Sequence, residues 1–201
     1  MTSRFITRWA KESECRGGTL NKQADVFIIY SGVATTAITG IPLQDGSEVV
    51  VWADGVDLSP LVDGVQTTYT VTNGAITLNT SVTNAVIGLG YRGRWKSTKL
   101  GAAVSAGSTP LNQTKRIAKL GAVARWLHSK GLRYGPDFDN LSDLPQLEAG
   151  KAIATDTIRT AYDEPTFEFR GTWDTDLRLC LEAVAPRPVT LLSATATIET
   201  D

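Results

Sequence analysis

Three closely spaced aspartates are the first group in this sequence that could do chemistry. Asp137, Asp139 and Asp143 lie in the segment GPDFDNLSD, and spaced carboxylates in a loop can bind a hard cation such as calcium. The EF-hand pattern fails, because Leu141 stands at its fifth position and no glycine follows at the sixth. We therefore favour Asx-turns around Pro136 over an ion site.

Asp174 and Asp176 form a second carboxylate pair, in the segment GTWDTD. Two carboxylates could serve a glycosidase, but a turn at the entrance to a strand is the simpler interpretation. His128 is the only histidine, and we expect it to pack or to flank a turn. The sequence has no CxxC, HExxH or GxSxG motif and no phosphate-binding glycine loop. It therefore predicts no catalytic residue, no cofactor and no metal ligand.

A stripe of cations lies in the segment AVIGLGYRGRWKSTKL. Arg92, Arg94 and Lys96 alternate there with apolar or small residues that include Tyr91 and Trp95. In a strand this alternation puts the cations and the aromatic rings on opposite faces, which separates charge from base stacking. The stripe is thus a solvated strand face or, in the sharper interpretation, a contact surface for a neighbouring domain or subunit.

Tryptophans are candidates either for core packing or for stacking against a sugar ring. Core packing is the simpler interpretation, because an aromatic side chain buries a large area. Exposed, coplanar rings around a groove would instead indicate a binding module. The candidates are Trp52, Trp95, Trp126 and Trp173.

Composition places the chain among ordinary globular proteins. It has 201 residues, of which 42% are hydrophobic, and 20 basic residues stand against 21 acidic ones. This balance does not favour a nucleic-acid or membrane surface, and no apolar run is long enough to span a bilayer or to form a signal peptide. Cys15 and Cys180 are far apart in sequence, which favours free thiols over a disulfide.

Short apolar runs, threonine-rich alternation and Gly-containing turns predict a mostly β protein. The clearest local pattern is a hairpin over residues 66–79 around Asn73-Gly74, the preferred pair for a type I′ turn. Alternation predicts one long strand over 85–100. Residues 114–128 fit helix or strand about equally, and 135–165 is predicted as a long irregular segment.

We therefore expect an antiparallel β-sandwich or barrel-like sheets, with long loops and at most one or two short helices. Residues 1–22 are predicted as a connector. Residues 23–108 are predicted as one β-rich subdomain and 109–201 as a second β-rich part, which could pack together as one domain.

The order of the sequence pieces resembles the C-terminal region of tail nozzle proteins of short-tailed bacteriophages, also called tail tubular protein B or stabilization proteins. The resemblance covers nearly the whole chain, but the upstream β-propeller part of such proteins is missing. The matching pieces are RFITRWAKES, GGTLNKQAD, YSGVATTAITGI, VVVWADG, AVIGLGYRGRWKSTKL, TKRIAKLG, GLRYGPDFDNL and FRGTWDTDLRLCLEAVAPRPVTLLSATATIET.

The resemblance implies a structural component of the virion tail, made in the bacterial cytoplasm. Its expected partners are copies of itself in a ring, commonly a hexamer, and neighbouring tail or portal-adaptor proteins, with genome DNA only in transit. It implies no catalytic residues, and it changes residues 114–127 to a strand that forms a β-hairpin across a turn at 129–131. The alternative is a carbohydrate- or receptor-binding β-sandwich module, and an enzyme using Asp174 or Asp176 is the least favoured hypothesis.

Overall fold

The computed structural model describes residues 9–101, 110–148 and 150–201. Over these ranges the protein is mostly β and is built of several antiparallel sheets, as the sequence predicted. Of the two predicted arrangements, sandwich or barrel-like, none of the described sheets closes into a barrel. The described helices are short 3-10 turns at Glu12–Glu14 and Pro110–Asn112. None of the helices in these ranges is long and apolar enough to cross a membrane.

The described strands are numbered in chain order. β1 to β7 are Asp25–Thr39, Glu48–Ala53, Val56–Asp57, Leu61–Val62, Val65–Gln66, Tyr69–Thr70 and Ala75–Leu89. β8 to β16 are Arg92–Lys96, Lys115–His128, Leu132–Gly135, Ser142–Asp143, Leu147–Glu148, Lys151–Ala152, Ile158–Glu168, Cys180–Val184 and Thr190–Thr200.

The chain forms two compact units. The first contains the described residues up to Arg92 together with Val184–Pro188, and the second contains the described parts of Gly93–Ala183 and Val189–Asp201. The sequence instead placed its boundary between residues 108 and 109. Whether either part is an independent domain stays a prediction.

The first unit is built around β2. Its sheet has the order β1-β7-β2-β3, and β6 also pairs with β2. Residues 49–53 of β2 are all buried, which fits their continuous apolar sequence, because a strand covered on both faces needs no polar alternation. The core around β2 includes Ile38, Val51, Val71, Ile76 and Ile87.

The predicted turn at Asn73-Gly74 is confirmed. Both residues have positive φ, 51° and 65°, as a type I′ turn requires, and Thr72 and Ala75 exchange backbone hydrogen bonds of 2.8 and 3.0 Å across it. The first arm of the predicted hairpin is shorter than expected. Its strand, β6, pairs with β2 rather than along β7.

The second unit is a sandwich of two sheets. One sheet has the order β11-β10-β15-β8, and the other has the order β14-β9-β16. Side chains from both sheets meet in one apolar cluster, so the sheets pack face to face. The cluster includes Ile117, Leu120 and Leu127 from β9, Leu132 and Tyr134 from β10, and Leu181 from β15.

The predicted single strand over 85–100 is wrong. β7 ends at Leu89, and β8 begins at Arg92 in a different sheet. The alternation of side chains continues through Gly90, so a period of two cannot detect the change of partner. A Cβ atom at Gly90 would lie 2.8 Å from Cγ1 of Val50, so the chain passes β2 too closely there for any larger residue.

The strand over 114–127 is confirmed as β9, and so is the turn that follows it. The N–H of Gly131 donates to the carbonyl of His128 at 2.8 Å. The predicted hairpin is wrong, because β9 pairs with β14 and β16, whereas β10 pairs with β11 and β15. The turn at 129–131 thus carries the chain from one sheet of the sandwich to the other.

The segment 135–165 is less irregular than predicted. It contains the short strands β11, β12 and β13, and the long strand β14 begins within it at Ile158. β14 is held by pairing with β9, from Ile158 opposite His128 to Glu168 opposite Lys119. This pairing is long-range, so the Pro, Asp and Gly content of the segment did not reveal it.

Val184–Pro188 belongs to the first unit, although β15 and β16 on either side of it build the second. Nε of Arg187 lies 2.7 Å from Oδ2 of Asp57, and both side chains are almost completely buried. The N–H of Ala185 donates to the carbonyl of Tyr91 at 3.0 Å. The first unit is therefore assembled from two separate stretches of sequence.

Candidate functional site

Asp137 makes the predicted Asx-turn. Its Oδ1 accepts the backbone N–H groups of Asp139 and Asn140 at 2.9 and 2.8 Å. The side-chain amide of Asn140 also donates to this carboxylate, and it is the main reason why the pKa of Asp137 lies below its ordinary value. Across the described ranges, no group of three or more His, Cys, Asp and Glu side chains could hold a metal ion.

Asp174 and Asp176 also form a turn. Oδ1 of Asp174 accepts the N–H of Asp176 at 3.0 Å, and Nε of Arg178 donates to both oxygens of Asp176 at 3.1 and 3.2 Å. The hydrogen bond from Arg178 is the main cause that lowers the pKa of Asp176. Both carboxylates are thus engaged in local hydrogen bonds, which is the arrangement that a turn at this position predicts.

His128 flanks a turn, as the sequence predicted. Its side chain is buried, its Nδ1 accepts the N–H of Lys130 at 3.1 Å, and its Nε2 lies 3.1 Å from Oδ1 of Asp156. Because Nδ1 accepts a hydrogen bond, Nε2 carries the proton and donates to Asp156. Both ring nitrogens therefore hold the connection between β9 and β10 in place.

A polar cavity of about 440 Å³ brings several candidate residues together in the second unit. Its wall carries equal numbers of cations and carboxylates, so it has no strong net charge. Donors and acceptors mixed in this way can hydrogen-bond the hydroxyl groups of a sugar. The charged residues of the wall are Lys96, Asp137, Arg170, Asp174, Asp176 and Arg178.

Arg94, in the predicted basic stripe, has an internal partner. Its Nε lies 2.7 Å from Oε2 of Glu182, whose side chain is completely buried. Arg133 approaches the same carboxylate at 3.4 Å, and the Arg94 guanidinium lies 4.9 Å from the ring centre of Phe138. Arg94 is therefore at least partly a framework residue of the second unit.

The other cations of the stripe lie in different surroundings. Arg92 belongs to the first unit and donates to the carbonyl of Gly64 at 3.1 Å. Lys96 lines the polar cavity, where its charge contributes to the lowered pKa values of Asp137 and Asp176. All five residues of β8 are exposed, and a contact role for the stripe stays a prediction.

The tryptophans divide between core and surface. Trp52 is completely buried, and its indole N–H donates to the carbonyl of Gly18 at 2.8 Å. Trp126 is half-buried, whereas Trp95 and Trp173 are 53% and 44% exposed. Arg116 lies over the Trp173 ring, 5.1 Å from its centre. Of the four candidates, Trp95 and Trp173 are therefore the ones exposed enough to contact a ligand.

An apolar cleft of about 530 Å³ lies between β8 and β16 in the second unit. Sequence reasoning missed it, because the cleft appears only when the edges of two sheets are brought together. Among the residues that the sequence analysis named as candidates for ligand stacking, Trp95 lines this cleft. The lining includes Trp95, Leu132, Leu181, Ala183, Leu191 and Ala194.

Sequence reasoning also missed the buried charges. Lys115 has no exposed surface, and its Nζ donates to the carbonyls of Leu111, Gln113 and Thr175 at 3.1, 3.0 and 3.1 Å. In the sequence, a lysine followed by a second cation, Arg116, at the start of a strand is expected to lie on the surface. Nothing in the local pattern shows that a distant loop will close over it.

The polar cavity and the apolar cleft are thus the two candidate sites described here. The polar cavity offers hydrogen bonds to a hydroxyl-rich ligand. The apolar cleft offers buried surface to a side chain or an extended segment of another chain. Neither the protein-family models nor the curated proteins with which the chain was compared match it.

Proposed function

We propose that this protein is a structural component of a bacteriophage tail, a nozzle or hub that assembles with copies of itself into a ring. The support is the ordered set of sequence pieces, from RFITRWAKES to the C-terminal ATATIET, that resembles tail nozzle proteins. In this role the protein works in the virion and contacts neighbouring tail or portal-adaptor proteins. It needs no catalytic residue, cofactor or membrane insertion.

The structural observation that best supports assembly is the length of the edge strands. β1 has 15 residues and β16 has 11, and each lies at the end of its sheet in the described ranges. Ile29 and Val33 of β1 are 45% and 86% exposed. A long edge strand offers unpaired backbone N–H and C=O groups to another chain, which is how β-rich subunits extend a sheet.

The charge of the chain suits a channel for DNA. The affinity of a protein for DNA grows with the number of its cations that contact phosphates, and tight binding slows the release of the DNA. Basic and acidic residues nearly balance here, 20 against 21, so the genome can pass without being held.

The test is the location of the protein in virions. A phage that encodes this chain is given an epitope tag on it, and purified particles are examined by immunogold electron microscopy and quantitative mass spectrometry. We expect the gold label at the tail and a number of copies per particle that fits one ring, which is six for a hexamer. Particles that lack the chain would reject the proposal.

A carbohydrate-binding role is the second candidate, and the polar cavity favours it. The cavity mixes cations and carboxylates, and Trp173 lies next in sequence to its lining residues Thr172 and Asp174. A glycan array followed by calorimetry tests it. Binding that is lost in Arg170→Ala but kept in Arg125→Ala, an exposed arginine of β9, would support this role. If the chain binds no glycan, the carbohydrate-binding role is rejected.

A further inference from the structure

The two sheets of the second unit have two recognisable ends. The apolar cleft places β8 beside β16 at one end. At the other end, the hydroxyl of Tyr134 on β10 donates to the carbonyl of Glu168 on β14 at 3.0 Å, and its ring lies 5.1 Å from that of Phe167. Because β8 and β14 are the outer strands of their sheets in the described ranges, they form opposite edges of the sandwich.

The edge at β8 is basic. The strand pairing continues past β8, since Ser97 N–H donates to Leu179 at 2.8 Å and Leu100 N–H donates to Leu177 at 2.9 Å. The residues along this edge, 93–100, contain Arg94, Lys96 and Lys99 and no acidic residue. Asp137 and Asp176 lie near Lys96, but Asp176 is already bonded to Arg178.

The edge at β14 is acidic. It carries Asp163, Glu164 and Glu168. None of the three takes part in the ion pairs formed among the described residues. The one cation within β14, Arg159, lies 4.4 Å from the ring centre of Tyr162 and is half-buried. Pairing continues past β14 through Phe169, and exposed Arg170 follows, so this edge carries three carboxylates against two cations and keeps an excess of negative charge.

We propose that the acidic edge at β14 of one copy docks on the basic edge at β8 of the next, with the apolar cleft beside β8 buried by the contact. The proposal deepens the ring assembly proposed above and rests on it for the identity of the partner, a second copy of this chain. Charge complementarity favours this pairing, because like edges would repel one another. Different surfaces meet on the two copies, and such a contact repeats head to tail until it closes into a ring.

The strand β14 contains Pro165, which has no N–H to donate. We therefore expect backbone pairing only along the part of β14 that precedes this proline. Beyond it, the side chains carry the contact, with Glu168 reaching towards the lysines of the partner copy. The contact is thus mainly electrostatic, and its strength should fall as salt is added.

The test is a charge swap on the full chain, followed by sedimentation velocity at low and high salt. Lys96→Glu with Lys99→Glu reverses the basic edge, and Asp163→Lys with Glu168→Lys reverses the acidic edge. We expect each reversal alone to raise the dissociation constant at least about tenfold at low salt, and an equimolar mixture of the two variants to associate again. Lys130→Glu, at an exposed lysine in the turn after β9, is the matched control and should assemble like the parent.

Each outcome decides the proposal. Assembly that is unchanged by both reversals would overturn it, and so would a parent chain that stays monomeric at about 100 μM in low salt. Neither result touches the tail role, which depends on the location of the chain in virions. If Lys96→Glu lowers the thermal midpoint, Lys96→Gln with Lys99→Gln replaces it and must still weaken assembly, or the basic edge is not the contact.

Discussion

Nε of Arg94 lies 2.7 Å from Oε2 of Glu182, and the Glu182 side chain has no exposed surface. A buried carboxylate that loses a cation keeps its desolvation cost without the compensating attraction. We therefore expect Arg94→Ala to lower the free energy of unfolding by about 2 kcal/mol, a value reduced from that of a fully buried pair because Arg94 is partly exposed. Denaturant unfolding at neutral pH measures it.

Lys96→Ala is the control for this measurement, because Lys96 lies two residues away on the same exposed strand. Its effect on the free energy of unfolding should stay within about 0.5 kcal/mol. If both variants unfold equally easily, the pairing of Arg94 with Glu182 does not stabilise the second unit.

Lys115 provides a second test of the second unit. The residue has no exposed surface and its ammonium donates to three backbone carbonyls, so Lys115→Met removes three hydrogen bonds from a charged group at once. We expect a loss of about 2–4 kcal/mol in the free energy of unfolding. Lys119→Met, on the exposed side of the same strand, should cost less than about 0.5 kcal/mol. A mild effect at Lys115 would mean that water replaces the ammonium.

The pair Arg187 and Asp57 tests the first unit. The two side chains are 2.7 Å apart and almost completely buried. Each single change, Arg187→Met or Asp57→Asn, should cost about 3 kcal/mol or more, and the double variant should cost less than the sum. The exposed pair Arg178 and Asp176 is the comparison, and its coupling should be below about 1 kcal/mol. Additive effects at the buried pair would contradict the prediction.

Tyr162 should make the protein sensitive to alkaline pH. Burial is the main cause that raises the pKa of its phenol from about 10 to about 12. The folded protein then holds this proton more tightly than the unfolded chain does. The resulting contribution of Tyr162 to the free energy of unfolding is complete below about pH 10 and is lost as the pH rises towards about 12. Tyr162→Phe should remove this part of the alkaline loss of stability.

Stability curves between neutral and alkaline pH measure this effect, with Tyr30→Phe as the control at a more exposed tyrosine. At pH 7 the Tyr162→Phe variant should stay within about 1 kcal/mol of the parent, because the buried hydroxyl has no hydrogen-bond partner in the described part of the chain. An alkaline slope that is the same in both variants would assign the loss of stability to other groups.

Local chemistry made some of the structure predictable. Asn73-Gly74 demanded a turn because few residue pairs accept positive φ at two successive positions. The short apolar runs and the threonine-rich alternation indicated a mostly β protein for the same kind of reason, since each pattern depends on near neighbours alone. The Asx-turn at Asp137 followed from the short side chain of aspartate, which reaches its own backbone.

The rest depends on residues that are distant in sequence. The change of sheet at Gly90 is set by the approach of Val50, and the strand β14 is set by its pairing with β9. Neither leaves a mark in the local alternation. In the sequence, the charged residues Lys115 and Arg187 look like surface residues, because the segments that cover them are distant. The same holds for the polar cavity: the sequence singled out several of its charged residues but did not predict that they line one cavity.

The return of Val184–Pro188 to the first unit has a consequence for how such a protein can be rearranged by evolution. No single cut in the polypeptide separates the two units, because a chain ending at Arg92 would leave Asp57 without Arg187. A gene that exchanged one unit for another by recombination would need crossovers on both sides of this five-residue insertion as well as at residue 92. The two units are therefore expected to be inherited together, and to diverge by substitution rather than by shuffling.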